Sequence, residues 1–416
     1  MAVIALFDKS FLQALNVDEA VWFDHFFLPV VCPMFYLETL ADLAKEQRGD
    51  RSQDAIVKAI AKKFPEKQGS PCVSHVTLAV YNLLGRNVPI NGQIPRTGGR
   101  YVKGADKTGV VFERSSEDEA FARWQHEEFY DVERMFAAKW RAELAEIDLG
   151  QISPALKRAG FDPKLCRTFE QAKRISSALV NNSIRPFETL RLATLFLGVP
   201  PDQHIEVVRR WEAAGSPSLP QFAPYAAFVL EIEVFFFVAL ASNLISSERN
   251  SNRTDIAYLF YLPFCQVFVS GDKLHRNTCS LFLRADQEFV WAPDLKAGLK
   301  SINNHFLALP EDIREQGIYK FAGSPPGQEN SLVLDIWTRH LRPEALTDRG
   351  ITDTISEERS SKLVSQLKSF TEGETIPSDQ IPEENAIEML SIERHVRRRR
   401  GSWWQVPKDL PGDRNN

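Results

Sequence analysis

The chain has 416 residues, 44% hydrophobic and 25% charged, with a formal net charge of −5. This composition excludes a disordered or fibrous chain, and the length favours two or three domains over one core. A mildly acidic balance excludes a global electrostatic case for nucleic-acid binding, so any such surface must be local; it suits a site that gathers carboxylates around divalent cations.

The cysteines, Cys32, Cys72, Cys166, Cys265 and Cys279, are scattered, odd in number and lack a C-x-x-C pair. They read as reduced, buried thiols of a cytoplasmic protein, not as a disulfide framework or a structural zinc site. The opening MAVIALFDKS has neither the basic region nor the cleavage site of a signal peptide.

Residues 2–7, AVIALF, form an apolar run that ends at Asp8, as a strand buried on both faces does. Residues 10–28 mix helical and turn signals, and a second run, Leu28 to Cys32, follows. Pro33 then suits the first turn of a helix, expected to continue from Met34 to about Gln47. Strand, helix, strand, helix opens an α/β fold.

From residue 49 to 224 that alternation stops, and the segment reads as a mainly helical insertion. Within it, 85–109 reads as an extended loop rich in Gly, Pro and Arg. Residues 117–147 read as one long amphipathic helix, with Trp124, Phe129, Val132, Phe136 and Trp140 on a face, and 168–214 as two or three helices. GSPSLPQFAP (215–224) is a turn-rich linker.

The α/β pattern then resumes. Tyr225 to Ile245 approaches membrane-spanning length, but Glu231 and Glu233 inside it favour a buried helix of a soluble domain. A short helix is expected from Thr254 through Tyr261, a strand over Gln266 to Ser270 ending at Gly271-Asp272, and a further apolar patch at Glu288 to Ala292. The expected organisation is a core in two parts, 1–48 and 225–310, around the insertion, with a C-terminal extension over 311–416. That extension carries an acidic linker (371–385) and the tail RRRRGSWW.

Open parallel sheets place functional residues at the carboxyl ends of their strands. Asp8 and Asp272 end two strand candidates, Glu38 lies on the helix after the other, and Asp255 opens the short helix before the last. Each also has an ordinary role: Asp8 as a helix cap, Glu38 as a solvated helix charge, Asp255 as an acid favoured by the helix dipole, Asp272 as a turn residue. Asp42, one turn beyond Glu38, is the substitute should Glu38 face away.

In their sequence contexts, IALFD, PMFYLETLADL, DIAYLFYLPF and VFVSGD, these four acids in this order resemble the PIN-domain nucleases. The resemblance spans residues 1–48 and 246–300, and Ser270 matches the family's frequent Ser or Thr two positions before the last acid. The chain departs from the compact PIN layout through its insertion. The resemblance implies a three-layer α/β core with a parallel sheet. It implies Asp8, Glu38, Asp255 and Asp272 as ligands of Mg²⁺ or Mn²⁺, and hydrolysis of phosphodiester bonds in RNA more than DNA. Toxin–antitoxin, phage-defence or RNA-processing roles are its usual context. Rival readings are a non-catalytic PIN-like scaffold and a helical interaction protein.

His275 is a candidate for substrate contact or an outer metal shell, against the plainer reading of a surface histidine. Arg96 and Arg100, with Tyr101 and Lys103, are candidates for following a phosphate backbone. His126-Glu127-Glu128 lacks an H-E-x-x-H partner and reads as a helix face. Arg397 to Arg400 with Trp403-Trp404 offer phosphate and base contacts, or docking on a partner or on the chain's own body. A protein partner through the insertion or tail, and self-association, stay open; no membrane partner is expected.

Overall fold

The computed structural model describes residues 2–46, 50–66, 72–96, 99–103, 108–112, 115–151, 153–154, 162–327, 331–341, 365, 373–377, 390–392 and 397–409. The order begins with strand β1 (Val3–Phe7), helix α1 (Lys9–Ala14), helix α2 (Val17–Phe26), strand β2 (Phe27–Val30) and helix α3 (Pro33–Ala41). Local chemistry sets these boundaries. The Asp8 carboxylate accepts from the Phe11 amide to start α1, Asn16 and Glu19 form a capping box on α2, and Pro33 occupies the first turn of α3. Helix α3 stops earlier than expected, because the chain tightens into a 3-10 turn over Asp42–Ala44.

Between α3 and the second half of the core, helices dominate: Gln53–Ala61, His75–Leu83, Ser116–Trp124, Asp131–Glu146, Phe169–Val180, Pro186–Phe196 and His204–Ala213. Of the two or three helices expected within 168–214, three are present. Two expectations here need correction. The stretch 85–109 is not all loop: β3 (Gly99–Lys103) pairs antiparallel with β4 (Thr108–Phe112). Residues 374–375 (β7) and 390–392 (β8) extend this pair into a sheet ordered β7-β3-β4-β8. The rest of 371–385 lies outside the described residues. The single helix over 117–147 is two, broken where Glu127 adopts φ 63° and the Glu128 amide bonds back to the Arg123 carbonyl. The expected shared face divides accordingly, Trp124 being fully buried whereas Val132 and Phe136 are exposed.

The helix Pro224–Ala241 is long and apolar enough to cross a membrane, yet 78% of that window is buried inside the protein. Its acids are paired: Glu231 with Lys173 and Glu233 with Arg253, each at 2.6 Å. Helix Ser251–Ala257 and a 3-10 run, Tyr258–Phe264, lead into β5 (Val267–Ser270), and β6 (Glu288–Trp291) follows.

Strands β1, β2, β5 and β6 form one parallel sheet in the order β2-β1-β5-β6. Every residue of β5 and all but Ile4 of β1 are buried, so both faces of the sheet centre are covered. The chain leaves β1 toward β2 on one side, while β5 lies on the other. The carboxyl ends of β1 and β5 therefore flank a topological switch point, where diverging connections leave a crevice. A mixed α/β architecture follows, with the carboxyl-end acids of the sequence at that crevice.

Candidate functional site

Asp8 follows β1 directly, and its amide continues the ladder to the Val269 carbonyl. The residue is 4% exposed, and its side chain accepts from the Phe11 amide (2.9 Å), Ser10 Oγ (2.8 Å) and Ser270 Oγ (2.7 Å). His275 Nδ1 lies 3.6 Å from Asp8 Oδ2. Burial alone would push this carboxyl up, but His275, Ser270 and the Phe11 amide outweigh it and hold it below the ordinary value.

His275 corrects the expectation of a surface histidine: it is fully buried. Nε2 meets the Asp255 carbonyl oxygen at 2.6 Å, an acceptor only, so Nε2 carries a proton. Nδ1 meets Ser270 Oγ at 2.7 Å. The single Ser270 hydroxyl proton goes to Asp8, and Ser270 Oγ also accepts from the Asp272 amide at 2.9 Å. Every contact is satisfied only when Nδ1 is protonated too. Burial works against an imidazolium, yet bonding to Asp8 and the charges of Asp8 and Asp255 prevail, raising His275 to about 9. The ring therefore supports Asp8 from within the core and offers no face to a substrate.

Ser10 ties the two loops together, its hydroxyl bonding Asp8 and accepting from the Gly271 amide at 3.1 Å. A side chain at 271 would place its Cβ 3.0 Å from Ser10 Oγ, so the serine would have to give way by a few tenths of an ångström.

Glu38, on α3, is half-buried and accepts from the Tyr258 hydroxyl at 2.5 Å. Burial raises its carboxyl; Lys9 and Tyr258 oppose this, and Asp8 and Asp42 add to it. Lys9 donates to the Glu38 carbonyl (3.1 Å) and to Asp42 (3.0 Å). Asp42 is thus a buried acid with its own cations, Lys9 and Lys45, and not a substitute for Glu38.

Asp255 falls in the second turn of its helix, which begins at Ser251 rather than Thr254, so the dipole explanation does not apply. Its carboxyl is pushed up to about 7, first by burial and then by Glu38, Asp272 and Asp8, with His275 acting in opposition. Asp272 caps the helix Lys273–Thr278, accepting from the Leu274 amide at 2.6 Å.

The four sequence-predicted acids therefore reach one edge of one sheet and feel one another's charge. They do not share a coordination sphere: among the described residues, no three His, Cys, Asp or Glu side chains are grouped to hold a metal ion. Asp8 turns to its hydroxyl and imidazole partners, and Asp272 to its helix. In donor chemistry and charge the set still fits a hard divalent cation, being all oxygen, with Asp255 and Glu38 raised first by burial and further by the neighbouring acids.

The structure places Arg96 and Arg100 elsewhere, in the region of the β7-β3-β4-β8 sheet. Arg96 lies over the Phe112 ring at 4.2 Å, and Arg100 donates to Thr375 Oγ1 at 3.2 Å. His126 is exposed in the turn after Trp124. The tail docks on the chain's own body, one of the readings its sequence left open: Trp403 is fully buried, and Arg400 is 3% exposed and pairs with Asp24 at 3.2 Å. Arg397 pairs with Glu66, and Arg399 lies over the Trp404 ring.

Lys9, Ser10 and Tyr258 were missed by sequence reasoning. Ser10, two residues after Asp8 at a helix start, was open to detection; nothing distinguishes Tyr258 from the other aromatics of YLFYLPF. Compared with known proteins, the chain matches no family model, no curated protein and no solved structure.

Proposed function

We propose that the crevice at the carboxyl ends of β1 and β5 is the active site of a metal-dependent, PIN-like nuclease acting on RNA, with DNA the less favoured substrate. The observation that carries this reading is the convergence of Asp8, Glu38, Asp255 and Asp272 at a switch point, with two of the carboxyls raised by burial and mutual repulsion. Asp8, Glu38, Asp255 and Asp272 would hold Mg²⁺ or Mn²⁺ only on turning their carboxylates from their present partners toward one ion, which would supply charge to a phosphoryl transition state and lower the pKa of a bound water.

The chain's own residues define the remaining roles. Ser270, Ser10 and His275 fix the Asp8 carboxylate on the sheet edge. Tyr258 orients Glu38 through its hydroxyl. Asp255, at about 7, is a carboxyl able to take or give a proton near neutral pH in the metal-free protein.

A scaffold without catalysis is the second reading, favoured by the saturation of Asp8 and by the imidazolium that already neutralises it. One comparison separates the two. Wild type should cleave labelled RNA with Mn²⁺ and gain thermal stability from Mn²⁺, and Asp272→Asn should lose at least about a hundredfold in rate. Equal rates for wild type and variant, or no metal-dependent stabilisation, would leave the scaffold standing.

A further inference from the structure

The parallel register aligns Leu6 with Phe268 and Phe7 with Val269, so the next row contains Asp8 and Ser270. Ser270 is in turn aligned with Trp291, the last residue of β6. Aligned residues of a parallel sheet point to the same face, and the contact between Asp8 and Ser270 side chains shows which face this is. Trp291 thus stands on the same face as the acid cluster, two strand spacings or roughly 10 Å from Asp8.

The indole is half-buried, and the Arg276 guanidinium lies 4.9 Å from the indole centroid. Arg276 is exposed on the short helix capped by Asp272; its neighbour His275 enters the core, and the exposed Lys273 adds a second cation. A partly exposed aromatic ring with one cation over it and another nearby is a combination that binds single-stranded nucleic acid, the ring's other face stacking on a base and the cations attracting the backbone.

The geometry points to Trp291 and Arg276 as a stacking platform that receives one unpaired base of a single-stranded substrate beside the acid cluster. This rests on the nuclease reading and extends it: the favoured substrate is single-stranded, because a base held in a duplex is already stacked and cannot enter.

Binding without cleavage tests the two readings separately. Labelled single-stranded RNA is titrated with the full chain in EDTA and followed by fluorescence anisotropy. Trp291→Ala should weaken binding by about tenfold and Trp291→Phe by no more than about threefold, since a phenyl ring still stacks. Arg276→Ala, an exposed change with little risk to folding, should weaken binding a few-fold and flatten its salt dependence. Trp291-dependent binding by a protein that cleaves nothing would retain the platform and remove the nuclease. Unchanged affinity in Trp291→Ala, equal dependence on Trp291 with a duplex of the same sequence, or no binding by wild type would overturn the platform.

Discussion

Two of the places where the protein buries charge do so in opposite ways. Beside the tail, Asp24 and Arg400 pair at 3.2 Å, and the guanidinium also donates to the Phe64 carbonyl at 2.8 Å. There one acid meets one base, and the Phe64 and Lys62 carbonyls accept further guanidinium donors, although Arg400 Nε has no partner among the described residues. At the switch point, Asp8, Glu38, Asp255 and Asp272 converge, with His275 and a shared Lys9 as the cations beside them among the described residues, and burial first, then the neighbouring acids, raises two of the carboxyls. Balanced burial holds a segment in place. Unbalanced burial costs stability, and a fold retains it where the surplus charge has a use.

The first way to break this comparison is at the balanced site. Arg400→Met keeps the bulk of the side chain but leaves Asp24 without its guanidinium, and should cost about 3–5 kcal/mol in denaturant unfolding. The double variant Arg400→Met with Asp24→Leu should recover much of that loss, because no buried charge remains. RNA cleavage should be untouched in both, per folded molecule. A single variant as stable as wild type would mean that the pair does not hold the tail.

At the unbalanced site the sign reverses. Asp255 sits at about 7 in the folded chain against an ordinary 3.8, so protonation favours the folded state. Its contribution is fully present below about pH 4 and is lost as pH rises through 7. Asp255→Asn removes that loss, so the metal-free variant should match wild type near pH 4 and exceed it above pH 7 by on the order of 2–4 kcal/mol. The same change should reduce Mn²⁺-dependent stabilisation and cleavage. Asp255→Asn less stable than wild type at pH 8 in EDTA would show that the cluster carries no surplus charge.

The contrast also explains what the sequence made legible. Strands β1, β2 and β5 are mostly buried runs of apolar residues, and burial on both faces writes itself directly into composition; β6, half-buried and opening with Glu288, showed only as an apolar patch. Asp8, Glu38 and Asp272 were visible because each follows such a run or lies on the helix after it, and Asp255 because its short helix leads into β5. The supports were not. Tyr258 sits among Leu, Phe and Tyr residues that are all buried, and its hydroxyl contact crosses 220 positions of chain. His275 looks like any histidine on a short polar helix until β5 brings Ser270 against it. The break at Glu127 has neither Gly nor Pro to announce it. In the tail, four arginines read as solvated charge, yet Arg400 finds a buried acid nearly the whole chain away.

The smallest effect tests the neutral half of the tail's anchorage. Asn303 Oδ1 accepts from both Trp22 Nε1 (3.0 Å) and Trp403 Nε1 (2.9 Å), and all three residues are buried. Asn303→Ala leaves two indole donors without this acceptor in a packed aromatic cluster, at a cost of about 2 kcal/mol. Trp403→Phe removes one donor and keeps the ring, so adding it to Asn303→Ala should cost less than the sum of the two single changes. Because no surplus charge is involved, neither variant should alter the pH dependence of unfolding or the response to Mn²⁺. Additive losses would show that the two indoles do not depend on one acceptor, and a changed Mn²⁺ response would show that tail and switch point are coupled.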